Sequence, residues 1–247
     1  MKQFKGKIAL VTGSSRGLGK AIALELASTG ATLILHASKR SPSATHIFHM
    51  VKKMSPKSKL YFADFSHEEE IKGMVQAIQK DFSYLDILVN NAGIIRRATF
   101  LKSTDDDWDT VMKVNTSGMF HVTKALLPLI IKRGKGRIIN MSSICGLMGE
   151  YGLTSYCASK HAIIGFTKAL SKEVAKYGIT VNAVCPGFTD EGMTNTISPK
   201  IVEQSIQDIP LRRVGTKGEI AKLVAFLCSE NASYITGQAL SINGGIL

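Results

Sequence analysis

The chain is short of acidic residues, clustered cysteines and long apolar runs, and each shortage excludes a class of protein. No apolar stretch approaches the roughly 18 residues that would point to a membrane span. The first strand pattern begins within a few residues of Met1, leaving no room for the apolar core of a signal peptide. Cys145, Cys157, Cys185 and Cys228 are widely spaced, with no Cys-x-x-Cys and no histidine-rich company. They read as small reduced core residues, not as a zinc site or a disulfide frame. A cytoplasmic location is expected. No linker-like break, repeat or low-complexity segment divides the 247 residues, of which 45% are hydrophobic, so a single domain over 1–247 is expected.

Asp and Glu number 19 against 31 Lys and Arg, a net charge of +12. Such a surface attracts polyanions. Nucleic acid is not the expected partner, because zinc-finger spacing, aromatic-interleaved basic stretches and RNA-binding signatures are all missing. The densest basic run, Lys132-Arg133-Gly134-Lys135-Gly136-Arg137, reads as a helix end and a turn, where cations suit the helix dipole. It is expected to be solvated; the alternative is docking of an acidic partner.

What is present is organised around Thr12-Gly13-Ser14-Ser15-Arg16-Gly17-Leu18-Gly19. Lys7 to Val11 ahead of it reads as a buried strand. Leu18, Ile22 and Leu26 behind it recur at helical spacing up to Gly30. Strand, glycine-rich turn and helix in that order form an anion site, since the backbone can approach a pyrophosphate and the helix offers free N–H groups. The spacing is Gly-x-x-x-Gly-x-Gly.

Strands and helices then alternate. Strands are expected at 32–36, 59–63, 86–89, 136–141, 179–184 and 239–242. Helices are expected from after 40 to about 53, at 66–81, in one long run from about 105 to 131 bent by Pro128, from about 155 to Gly178, and at 217–228. The pattern predicts an α/β fold, a doubly wound parallel sheet of seven strands with helices on both faces. Ligands of such sheets sit beyond the carboxyl ends of the strands. That edge gathers Gly13–Gly19, Ala37–Arg40, Asp64, Asn90–Gly93, Ser142–Ser143 and Pro186–Gly187.

The end of the second strand, His36-Ala37-Ser38-Lys39-Arg40, carries no carboxylate for the ribose hydroxyls of NAD. Lys39 and Arg40, with Arg16 from the glycine turn, can neutralise a 2′-phosphate, so NADP(H) is the expected cofactor over NAD. Asp64, followed by Phe65, is placed to accept a hydrogen bond from an adenine amino group. Tyr156-Cys-Ala-Ser-Lys160 puts a phenol and an ammonium one helical turn apart. The ammonium is expected to favour the phenolate and lower its pKa, letting Tyr156 exchange a proton with a carbonyl. Ser143 can hold the substrate oxygen. Asn115, a mediocre helix former, is read as holding a water that touches Lys160.

These residues together closely resemble the short-chain dehydrogenase/reductase family over about Lys5 to Gly245. The resemblance is carried by the glycine turn, Asp64, Asn90-Asn91-Ala92-Gly93, Asn115, Ser143, Tyr156-x-x-x-Lys160, Pro186-Gly187, Gly237-Gln238-Ala239 and Asn243-Gly244-Gly245. It implies a Rossmann-type fold and a catalytic tetrad of Asn115, Ser143, Tyr156 and Lys160, with Tyr156 and Lys160 also touching the cofactor. It further implies cofactor contacts at Gly13, Ser15, Arg16, Gly17, Leu18, Gly19, Asn91, Ala92 and Gly93, and again at Pro186, Gly187 and Thr189. A homotetramer is implied as well, as is a variable substrate-side segment at 188–214.

Within the family, the stretches 136–143, 159–168 and 181–188 look most like reductases of 3-oxoacyl thioesters. An acidic acyl carrier protein would suit the basic surface. Two departures stand out: the positions where such reductases carry carrier-binding arginines are Gly134 and Tyr177, with Arg133 and Lys176 beside them, and Glu191 stands where a nicotinamide-holding Thr is usual. Arg96 and Arg97 resemble the same stretch of keto-deoxy-sugar-acid dehydrogenases, which makes a sugar-acid or other small secondary alcohol/ketone substrate the alternative. A non-catalytic nucleotide sensor is the remote one.

Overall fold

In the strands, alternation sets the layers. In β1 (Ile8–Val11) and β2 (Thr32–Ala37), Ala9, Val11, Leu33 and Leu35 enter one core while Leu10 and Ile34 enter the other. The remaining strands are β3 (Lys59–Phe62), β4 (Ile87–Asn90), β5 (Gly136–Met141), β6 (Ile179–Pro186) and β7 (Ala239–Ile242). The computed structural model describes residues 2–190 and 206–247. All neighbouring strands pair in parallel, in the order β3-β2-β1-β4-β5-β6-β7. The order reverses between β1 and β4, and there the sheet opens a crevice at its carboxyl edge.

Among the described residues the bounded α-helices are α1 (Gly17–Ser28), α2 (Pro42–Met54), α3 (Glu68–Asp81), α4 (Asp105–Met112), α5 (Gly118–Lys132), α6 (Thr154–Val174) and α7 (Lys217–Cys228). One face of the sheet is closed by Ile22 and Leu26 of α1, Ile47 and Val51 of α2, and Ile220 and Val224 of α7. The other is closed by Ile71 and Ile78 of α3, Val122 and Leu126 of α5, and Leu170 and Val174 of α6. Each such side chain, when fully buried, contributes about 1.5–3 kcal/mol. Local chemistry agrees with the boundaries. Ser41 accepts from Ala44 N with Pro42 in the first turn of α2, and capping boxes start α4 (Thr104, Asp107) and α7 (Thr216, Glu219).

A polar relay pins the helices below the crevice. Asn90 Nδ2 donates to Thr123 Oγ1 of α5 (2.9 Å) and to Asn140 Oδ1 of β5 (2.8 Å), and Asn140 Nδ2 donates to Thr167 Oγ1 of α6 (2.9 Å).

Two expectations are corrected, the second in part. The single long helix over 105–131 is broken by a π-helical stretch, Lys113–Ser117, and α5 then runs through Pro128 to Lys132. The basic run at 132–137 is solvated only in part: Lys132, Arg133 and Lys135 are exposed, as expected, while Arg137 is buried and three of the cations are paired. Arg133 Nε donates to the buried Asp86 at 2.9 Å, Lys135 pairs with Glu230 at 3.3 Å, and the buried Arg137 bonds Ser229 O and Glu230. Asp86, at the foot of β4, is a carboxylate that burial obliges to find cations.

Candidate active site

Thr12 and Asn91 join the two strand ends that flank the crevice. Thr12 Oγ1 accepts from the N–H groups of Asn91 and Ala92, both at 2.9 Å. Asn91 Nδ2 donates back to Thr12 O (2.9 Å) and Gly13 O (3.2 Å). Beyond this joint α1 begins at Gly17, and Arg16 ahead of it makes no side-chain cap. The first N–H groups of α1 are therefore left for an anion, which fits a dinucleotide pyrophosphate lying over Gly13, Ser15, Gly17, Leu18 and Gly19.

Ser38, Lys39 and Arg40 are exposed just past β2, as is Arg16 across from them. The Arg40 guanidinium lies 5.1 Å from the centre of the Phe62 ring. Asp64 Oδ1 accepts from Ser66 N (2.9 Å) and Ser66 Oγ (2.7 Å), and its own N–H goes to Glu70. Burial works against the Asp64 carboxylate, but the two Ser66 bonds and the nearby histidines hold its pKa below the ordinary value. Phe65 is buried beside it, stacked on His36.

The buried face of α6 carries Tyr156 and Lys160. Lys160 Nζ donates to Met141 O at 2.8 Å and lies 5.5 Å from the centre of the Tyr156 ring. Ser142 Oγ holds the Lys160 carbonyl at 2.8 Å. Ser143 follows β5 and accepts from Cys145 N at 3.1 Å, and it acts on the neighbouring Tyr156 phenol to lower its pKa. Asn115 sits in the π-helical break, its Oδ1 accepting from Ile94 N (2.8 Å) and its Nδ2 donating to Ile94 O (2.9 Å) and Ser159 Oγ (3.1 Å). Gly93 closes the group: a Cβ there would stand 3.2 Å from Asn115 Oδ1 and 3.6 Å from Lys160 Nζ.

One reading changes here and a second narrows. Burial pushes the Tyr156 phenol above its ordinary value, and Ser143 only partly offsets this, so the phenol is held protonated and not drawn toward phenolate. The Asn115 amide also clamps the Ile94 backbone and Ser159 with both of its hydrogens, which leaves Oδ1 as the atom of the amide able to meet the expected water.

Burial lowers Lys160 from its ordinary 10.5 to about 8. Holding that ammonium charged at pH 7 costs roughly 3 kcal/mol. Lys160→Met keeps most of the stem and removes the charge, at the loss of one hydrogen bond of about 1 kcal/mol. The variant is expected to lose turnover yet melt about 4–8 °C higher in a calorimetric scan. A lower Tm would show that the bond to Met141 outweighs desolvation.

Other expected residues fall elsewhere or outside. Pro186 ends β6, Gly187 N donates to Ile242 O at 3.0 Å, and Thr189 bridges Gly215. Asp190 is tied to Gly215 O and Lys217 N, and Arg213 pairs with Glu219 at 2.7 Å, so these face the start of α7. Glu191, with the segment 191–205, lies outside the described residues. Arg96 pairs with Asp107 at 3.9 Å and Arg97 donates to Tyr151 O at 3.2 Å. Sequence reasoning quoted Thr12 in the glycine motif without a role of its own, and missed Ser159 and His36 as site-building groups. The available signal was polar residues in otherwise apolar strand or helix positions.

A doubly wound parallel sheet with Asn115, Ser143, Tyr156 and Lys160 gathered beside an anion-binding turn defines an oxidoreductase of the Rossmann type. A family model described as enoyl-(acyl carrier protein) reductase matches residues 13–247. Nodulation protein G of Rhizobium sp. (strain N33) is 42% identical over 246 residues, covering 100% of this chain and 99% of that protein. The 3-oxoacyl-(acyl-carrier-protein) reductase of Haemophilus influenzae is 42% identical over 243 residues, 98% of each chain. That of Aquifex aeolicus is 42% identical over 244 residues, 99% of this chain and 98% of the relative. The chain belongs to the short-chain dehydrogenase/reductase family.

Proposed function

We propose that this enzyme reduces the ketone of a 3-oxoacyl thioester to the 3-hydroxyacyl thioester, with NADPH as cofactor and acyl carrier protein as the carrier of the substrate. The observation that carries the reading is the buried Tyr156 phenol one helical turn from Lys160, whose Nζ lies 5.5 Å from the phenol ring and donates to Met141 O at the carboxyl edge of the sheet. When bound, NADPH supplies a hydride to the ketone carbon. The chain's own residues do the rest. Ser143 orients the ketone oxygen, Tyr156 Oη gives it a proton, and Lys160 supplies the positive field that stabilises the phenolate left behind. The glycine turn, Asn91–Gly93 and the Asp64–Phe65 corner hold the dinucleotide. Arg16, Ser38, Lys39 and Arg40 meet the 2′-phosphate. The basic surface suits an acidic carrier, and Arg133 adds to it while its Nε is held by Asp86. A homotetramer and a cytoplasmic location are part of the same reading, the tetramer testable by light scattering. The sugar-acid reading has less support, since Arg96 and Arg97 are engaged with Asp107 and Tyr151.

The test is NADPH oxidation with acetoacetyl-CoA against a panel of 2-keto sugar acids, each repeated with NADH. The thioester with NADPH is expected to give the highest kcat/KM. In Arg16→Ala/Arg40→Ala the preference for NADPH over NADH should fall by about tenfold or more, in line with loss of charge-assisted phosphate contacts. Turnover of a sugar acid in preference to the thioester, or an unchanged nucleotide preference, would contradict the proposal.

A further inference from the structure

We propose that His36 is a positioning residue for the dinucleotide, its ring fixing the glycine turn against the ends of β2 and β3. The inference rests on the cofactor reading above and adds to it a residue outside every group that touches the ligand.

The geometry admits one arrangement of the ring. The Gly13 N–H can only donate, and it points at His36 Nδ1 at 3.0 Å. The Ala63 carbonyl can only accept, and it lies 2.9 Å from Nε2. The ring is therefore neutral, with its proton on Nε2, and a flip would put carbon against both partners. It is 1% exposed and stacks on Phe65 with centroids 4.3 Å apart and planes 19° apart. The main chain repeats the tie: Ser14 N donates to His36 O at 2.8 Å, and His36 N donates to Ser14 Oγ at 3.0 Å. One side chain thus locks three segments, the turn at 13–14, the strand leading to Ser38–Arg40, and the corner at 63–65. Burial lowers the ring to about 4, with Asp64 the charged neighbour opposing it, so the tie is intact at neutral pH. Gly13 is the first residue of the turn that the pyrophosphate crosses, and its orientation sets that of the N–H groups after it.

Because His36 acts through the turn and not through the 2′-phosphate, its loss should weaken NADPH and NADH alike. In His36→Ala and His36→Leu the Kd of both nucleotides, followed by fluorescence titration, is expected to rise by about tenfold or more and by the same factor. The kcat at saturating NADPH and the KM for acetoacetyl-CoA should stay within about threefold of wild type. His36→Asn, whose amide oxygen can take the Gly13 N–H, should recover most of the affinity. Independently, nitrogen NMR of the His36 ring in the wild-type protein should show Nε2 as the protonated atom. A Kd within twofold of wild type in the alanine variant, a loss confined to kcat, or an Nδ1-protonated ring would overturn the inference. If wild type bound neither nucleotide, the cofactor reading itself would fall and this inference with it, a result distinct from a variant that binds normally.

Discussion

Tyr156→Phe is expected to lower kcat for ketone reduction by about 10²–10⁴-fold, the range of a lost general acid, while the fold and nucleotide binding survive. The ring stays where burial and the neighbouring Ile144, Cys145, Leu153 and Cys157 hold it, so only the hydroxyl is lost. Fluorescence titration should give a wild-type Kd for NADPH, and steady-state assays should place the loss in kcat. The pH profile makes the roles separable. Burial holds the phenol protonated well past neutrality, so reduction should show no loss from Tyr156 between pH 6 and 8. Lys160 is charged below about 8 and neutral above it, so the rate of reduction should fall as pH rises through that value. Its pKa is depressed in the fold, so between about 8 and 10.5 the unfolded chain binds the extra proton and stability rises with pH while activity falls. A Tyr156→Phe enzyme retaining more than a tenth of wild-type kcat would remove the phenol from the reaction.

The elements most legible in the sequence were those whose neighbours in sequence carry the cause. β5 at 136–141, β7 at 239–242 and α7 at 217–228 are bounded by glycine, a terminal helix stop or a capping Thr, and the structure places them at those limits. The glycine turn and the Tyr156–Lys160 pair were legible for the same reason. What was not legible depends on partners far along the chain. The π-helical break is accompanied by the Asn115 clamp on Ile94, 21 residues away, and helical periodicity through 105–131 says nothing of that partner. The pairing of the exposed basic run was not visible because Asp86, the carboxylate that holds Arg133, lies 47 residues earlier. His36 was read only for the acidic group it is not, since the Gly13 N–H that it accepts lies 23 residues back. The pKa of Tyr156 inverted because a sequence shows the adjacent ammonium but not the depth at which the phenol is buried.

Gly19→Ala is expected to abolish dinucleotide binding, with a loss of affinity beyond about 100-fold where the protein still folds. A Cβ at residue 19 would land on the Gly13 carbonyl oxygen and on Asn91 Nδ2, inside van der Waals contact with both. Neither can retreat. The Gly13 carbonyl is part of the turn whose N–H is fixed by His36, and Asn91 Nδ2 is the joint between β1 and β4, donating to Thr12 O and Gly13 O. Relief of the overlap must open the turn or break that joint, and overpacking of this kind costs about 1–3 kcal/mol before the displaced bonds are counted. Gly17→Ala is the control. Within the protein nothing lies within 4 Å of a Cβ there, so the cost to the fold is the left-handed φ of 56°, about 1–2 kcal/mol for an alanine. A thermal melt and an NADPH titration on both variants decide the matter. Gly17→Ala should melt lower yet keep the joint between β1 and β4, Gly19→Ala should lose binding at any temperature where it is folded, and a folded Gly19→Ala that binds NADPH with wild-type affinity would mean that the pyrophosphate does not cross this turn.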